Sequence, residues 1–84
     1  MYEIVFSPNA KKQFLNLEKS TQERILYALD RIKFRPEKFV KKLVGKDVYR
    51  LRAGEYRIIL DIIKNKLLVL VLKVGHRKNV YNKI

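Results

Sequence analysis

Three arginines, Arg50, Arg52 and Arg57, stand where phosphate chemistry needs positive charge. They occur in two short runs of alternating apolar and basic residues, separated by the turn signal Ala53-Gly54. Side chains alternate across a strand, so Tyr49 and Leu51 share one face and Arg50 and Arg52 share the other. In the next run Tyr56, Ile58 and Leu60 oppose Arg57, which therefore joins the other two arginines in the neighbouring antiparallel strand. Three like charges on one sheet face repel each other unless an anion lies over them. A guanidinium holds a phosphate through two parallel hydrogen bonds, so the expected ligand is a phosphodiester backbone. Lys38, Lys41, Lys42 and Lys46 crowd the preceding segment 37–46. Of these, Lys42 and Lys46 join Arg50 as candidates for RNA binding.

The run Val74-Gly75-His76-Arg77-Lys78-Asn79-Val80-Tyr81 supplies a second set. Gly75 lets the chain leave the sheet, and His76, Arg77, Lys78 and Tyr81 are expected to return over the strand ends. An imidazole and a phenol beside arginines suit proton transfer at a phosphodiester, or base stacking. Other chemistries are excluded. The sequence has no cysteine, hence no disulfide, thiolate metal site or cysteine nucleophile, and its single histidine builds no histidine cluster. Three glycines, Gly45, Gly54 and Gly75, are too few for a phosphate-cradling loop. No Ser-His-Asp order or flanking carboxylate pair occurs, and Glu55 and Asp61 are the only acids near the arginines. No metal or other cofactor is expected.

The charge is unevenly placed. The formal net charge is +12; residues 1–32 hold five Lys/Arg against four Asp/Glu, and residues 33–84 hold fifteen against four. A heat-adapted surface raises Lys and Glu together, whereas here the acids do not keep pace. Such asymmetry points to nucleic acid, an anionic membrane or an acidic protein. No segment reads as a secretory signal, since residues 1–6 are short and carry Glu3. The longest apolar run, residues 67–72, is far below the roughly 20 residues of a spanning helix. A cytoplasmic location without a membrane partner is the expectation.

The elements that must position these residues follow from periodicity. Residues 2–6 alternate as a strand. Ser7 is placed to cap a helix with Pro8 at its first position, and Ala10, Phe14 and Leu17 recur at helical spacing. Ser20 to Glu23 reads as a capping box. Ile25, Ala28, Leu29 and Ile32 form one helical face that Pro36 ends. Three strand-like runs follow at 48–52, 56–63 and 67–74, the last apolar on both faces apart from Lys73. The reading is one α+β domain over residues 1–84, in the order β-α-α-β-β-β. Its sheet is expected to be antiparallel, with an αα-hairpin packed on one face.

Tyr49-Arg50-Leu51-Arg52-Ala53-Gly54-Glu55-Tyr56-Arg57 resembles the central stretch of the RelE/ParE toxin superfamily, and Val74 to Tyr81 resembles that family's ending. With the element order, the resemblance spans nearly the whole chain. It implies a toxin of a type II toxin–antitoxin pair. In the RelE branch this is a metal-independent endoribonuclease that cleaves mRNA in the ribosomal A site. The ribose 2′-OH attacks the adjacent phosphate there and leaves a cyclic phosphate and a free 5′-OH. The resemblance further implies that Arg57 stabilises the transition state, Arg77 binds phosphate and Tyr81 positions the scissile nucleotide. Arg50 and Arg52 fall near basic residues that are lysines in the best-known relative. A lysine can be driven to give up its proton and an arginine cannot, so the resemblance leaves His76 or Glu55 as proton acceptor, or Arg52 as a source of charge alone. The ParE branch, which inhibits DNA gyrase by binding, shares the fold, and an inactive RNA-binding relative is a third reading.

Two outcomes are expected. If His76 accepts the proton, His76→Ala lowers cleavage with little loss of RNA binding; equal loss of both removes it from that role. A cognate antitoxin should carry an acidic, amphipathic helical segment, and its affinity, measured by titration calorimetry, should fall as salt rises. An affinity unchanged between low and high salt would exclude charge as its basis.

Overall fold

The structure, a computed structural model, describes residues 1–76 and Lys78. Strand β1 (Glu3–Phe6) runs directly into helix α1 (Pro8–Leu15). Ser7 makes that junction as anticipated: its hydroxyl accepts the Ala10 N–H at 3.1 Å, and Pro8 opens the helix where no N–H is needed. Helix α2 (Lys19–Arg31) follows after a three-residue link. The Ser20 capping box does not form. The Gln22 N–H bonds the Glu18 carbonyl at 2.9 Å, so the helix starts upstream and Ser20 falls inside its first turn. The Gln22 side chain instead serves the hairpin, its amide donating to the carbonyls of Phe14 and Leu17 at the end of α1.

The connector after α2 holds two elements that periodicity missed. Pro36 opens a short helix α3 (Pro36–Phe39), and β2 (Lys41–Lys42) follows. A four-residue helix and a two-residue strand are too short to leave a pattern. Glu37 of α3 meets Lys64 at 3.0 Å. Its own backbone N–H, and then the Lys64 ammonium, hold the Glu37 carboxyl below the ordinary carboxylate range. Strands β3 (Tyr49–Ala53), β4 (Tyr56–Ile63) and β5 (Leu68–His76) complete the chain's meander.

The sheet order is β1-β5-β4-β3-β2. The sheet is mixed, not purely antiparallel, because β1 pairs β5 in parallel. The helices carry the chain from the β1 edge to the far β2 edge, and the meander then walks back strand by strand to β1. A parallel neighbour requires such a crossover. The hairpin packs on one face as expected. Ala10 of α1 and Ile25, Ala28, Leu29 and Ile32 around α2 bury against Leu51, Ala53, Ile58, Leu60, Val69, Val71 and Val74.

One irregularity governs the rest. Ile59 pairs Lys73 but Leu60 pairs Val71, so Leu72 is an extra residue in β5, a β-bulge. Val69 and Val71 face the helices. Strict alternation would send position 73 the same way and 74 to the opposite face. The bulge resets the count: Val74 enters the core and Lys73 turns outward with Ile59. Helix α1 satisfies the backbone groups around it. The Ser7 hydroxyl donates to the Leu72 carbonyl at 3.3 Å, and the Gln13 side-chain oxygen accepts the Val74 N–H at 2.8 Å. Strand β5 also runs on to His76, so Gly75 and His76 belong to the sheet and not to a tail leaving it.

Gln13→Leu should cost about 1–3 kcal/mol, because it strands the Val74 N–H without a partner. Ser7→Ala should cost about 0.5–2 kcal/mol through the lost cap. Urea unfolding checks both. Changes within about 0.5 kcal/mol of wild type, the range of an ordinary surface substitution, would show that the bulge does not depend on α1.

Candidate nucleic-acid interface

Residues paired across neighbouring strands share a face, so the register lays out the surface opposite the helices row by row. One row reads Lys41, Arg50, Ile59 and Lys73 across β2, β3, β4 and β5. The next reads Arg52, Arg57 and Gly75. The grouping of Arg50, Arg52 and Arg57 on one face is therefore realised, and Arg52 lies directly opposite Arg57. Like charges in that relation are unfavourable.

The face is not uniformly open. Arg52 is exposed and Arg50 half-buried, but Arg57 is only 5% exposed and Ile59 only 2%. Strand β4 is the middle of five, and Ile59 stands in its row between Arg50 and Lys73, whose long stems are able to shield apolar surface. The Arg57 guanidinium turns back towards the β3–β4 turn, where Nη1 donates to the carbonyls of Gly54 at 3.0 Å and Tyr56 at 3.2 Å. Its Nε is buried, with no hydrogen-bond partner among the described residues. Among the described residues no carboxylate pairs with it. A buried charge held only by carbonyl dipoles is poorly compensated, and the edge of the guanidinium that contains Nε is one that grips a phosphate.

Beside this row lies a shallow pocket of about 230 Å³ lined by Phe39, Lys41, Arg50 and Arg52. Phe39 comes from α3, and the Arg31 guanidinium stands 5.1 Å from the centre of its ring. An aromatic ring among cations is the composition of a base-stacking platform. Phe39 and Lys41 carry no sequence signal beyond membership of a basic connector, since the short elements that place them are invisible in periodicity. Lys73 was hidden by the bulge.

Other expected residues fall elsewhere. Lys42 pairs Tyr49, a core-facing residue, so it does not share the face of Arg50, and its ammonium lies 3.7 Å from Asp47. Lys46 is exposed in the β2–β3 loop. His76 pairs Tyr56 on the helix side of the sheet, and the two rings meet edge-on with centroids 5.6 Å apart. The register therefore does not bring His76 beside Arg57; the bulge reverses its face. Its Nδ1 accepts the Lys78 N–H at 3.3 Å, and Lys78 is exposed. Arg77 and Tyr81 lie outside the described residues. Glu55 is exposed in the turn between β3 and β4.

Known proteins share this fold. Residues 4–81 match the family described as ParE toxin of type II toxin–antitoxin system, parDE. An Escherichia coli RelE-like toxin protein is 33% identical over 86 residues, covering 96% of this chain and 90% of that protein. The intact Escherichia coli RelBE toxin–antitoxin complex contains a chain of 30% identity and TM-score 0.77, covering 90% of this chain and 96% of that one. The archaeal RelE–RelB complex of Pyrococcus horikoshii gives 30% identity and the same TM-score, covering 94% of this chain and 98% of its match. With a family match over nearly its whole length and a fold shared with both complexes, the chain belongs to the RelE/ParE superfamily of type II toxin–antitoxin toxins.

Proposed function

We propose that this toxin is a ribosome-dependent mRNA endonuclease that inhibits translation by cutting mRNA in the A site. The observation that carries the reading is Arg57, a buried guanidinium with an unpartnered Nε, directly opposite Arg52 on a cationic sheet face. A buried donor without a partner costs about 1–3 kcal/mol, and a phosphate oxygen that reaches it removes that cost. In 2′-OH attack on the adjacent phosphate, negative charge builds on the non-bridging oxygens. A guanidinium already fixed by the carbonyls of Gly54 and Tyr56 meets that charge with little reorganisation. Arg52 and Arg50 hold the flanking backbone, Phe39 offers a ring to an unstacked base, and Arg77 and Tyr81 keep the phosphate-binding and positioning roles that the family resemblance implies. The reaction, placed in the cytoplasm, needs no metal in this reading.

The same face suits neutralisation by a partner. The relatives of known structure include complexes with RelB antitoxins. An acidic, amphipathic helical segment of a cognate antitoxin, laid over Arg50, Arg52 and Lys41, would compete with RNA for the same field.

A second reading draws on the family description, which is that of ParE toxins. There the cationic face binds a protein–DNA target, gyrase, without chemistry of its own. In vitro translation with purified ribosomes separates the two. Cuts within A-site codons support the nuclease; intact mRNA with trapped gyrase–DNA complexes supports the second reading; RNA binding without either outcome marks an inactive relative. For the nuclease, Arg57→Ala should lower the cleavage rate by about 10²–10³-fold, the cost of removing one preorganised donor. Circular dichroism must show that the variant folds. Unchanged cleavage by a folded Arg57→Ala protein would remove Arg57 from the reaction.

A further inference from the structure

Attack by a ribose 2′-OH requires a group that takes its proton, and arginines do not accept protons at physiological pH. We propose that Lys73 is that group, an assignment that rests on the endonuclease reading. Lys73 lies on the same sheet face as Arg50, Arg52 and Arg57, put there by the Leu72 bulge. It is half-buried, and among the described residues no carboxylate lies within ion-pairing distance of its ammonium. Gly75 is the cross-strand partner of Arg57 and presents no side chain, so no side chain of β5 stands directly across from Arg57.

Distance separates Lys73 from the other candidates on the face. Neighbouring strands lie about 4.8 Å apart and residues rise about 3.3 Å along a strand. Lys73 is one strand over and two residues along from Arg57, roughly 8 Å between backbones by that spacing. A four-carbon stem spans most of that separation, so the Lys73 ammonium can reach a phosphate that lies over this face beside Arg57. Lys41 is two strands from Arg57, roughly 12 Å by the same spacing, and exposed. Asp61 is four residues along β4 from Arg57, about 13 Å. Glu55 stands in the turn between β3 and β4, outside the strands that carry the face, and His76 faces the helices.

In the step itself, the neutral amine of Lys73 takes the 2′-OH proton as the 2′-oxygen bonds to phosphorus. The bond from phosphorus to the 5′-oxygen breaks, and that oxygen takes a proton from water. The products are a 2′,3′-cyclic phosphate and a 5′-OH, and Lys73 returns its proton to solvent.

The test is single-turnover cleavage of mRNA on purified ribosomes by the full chain and by its Lys73→Arg and Lys73→Ala variants. Lys73→Arg keeps the positive charge without a usable base, so its rate should fall by about 10²–10⁴-fold, the usual worth of a general base. Ribosome binding should remain near that of wild type. Cleavage by Lys73→Ala should be restored in part by added ethylamine, in proportion to the free amine, as no merely structural role would require. If Lys73→Arg cleaves as fast as wild type, or if a folded, ribosome-bound Lys73→Ala is not restored by amine, Lys73 is not the base and the endonuclease reading stands. If the wild type leaves mRNA intact, the reading and the assignment both fall.

Discussion

The bulge at Leu72, held by the side chains of Ser7, the cap of α1, and Gln13 within it, is the constraint on which the cationic face depends. A strand has only two faces, and one inserted residue exchanges them for everything downstream. Here that exchange moves Val74 into the core, turns Lys73 outward, sets Gly75 beside Arg57 and sends His76 to the helix side. The bonds that hold it also join sheet to helix. Ser7 serves at once as cap of α1 and as donor to the bulged carbonyl, so the start of the helix and the register of β5 are fixed by one hydroxyl. The Ser7 N–H bonds the Val71 carbonyl as well, which extends the parallel pairing of β1 with β5 up to the bulge.

Much of this fold is legible in the sequence because it rests on local periodicity. The helical faces of α2, the Ser7-Pro8 junction, the alternation of β3 and β4 and the common face of Arg50, Arg52 and Arg57 all follow from patterns within a few residues. What escaped was non-local or too short to have a pattern. The bulge depends on Gln13 accepting from an amide 61 residues away, and nothing in the run 67–74 announces it. The parallel pairing of β1 depends on where the crossover ends. Helix α3 and β2, which bring Phe39 and Lys41 to the face, are shorter than one period of any detectable signal. The Ser20 box is a different case: the motif is present, but Gln22 is engaged in closing the hairpin, and the helix starts earlier.

The cationic face carries costs that the core must offset. Arg57 is buried without a counter-ion among the described residues, and its cross-strand partner in β3 is another arginine. In an 84-residue domain with one core, stability is marginal and such a charge is a cost that apolar packing has to offset. The helical half is nearly neutral and supplies the apolar packing, while the cationic residues gather on the sheet and connector. That division lets a repulsive surface exist on a stable scaffold. An anion over the sheet would relieve that repulsion, whether it belonged to a nucleic acid or to an acidic protein.

The order of the sheet has a consequence for how this domain behaves among copies of itself. An unpaired edge strand is a template for the edge of another sheet, and chains that stack in this way aggregate. One edge here is β2, only two residues long and both of them lysine. A second copy approaching that edge would bring two further lysines against it and find almost no backbone to pair with. The opposite edge, β1, is four residues long with Glu3 exposed, and just before it the Tyr2 N–H is already bonded to the Lys33 carbonyl. Edge-to-edge polymerisation is thus disfavoured at the β2 end of the sheet, so the lysines of β2 guard the protein's own colloidal stability as well as extending its charge.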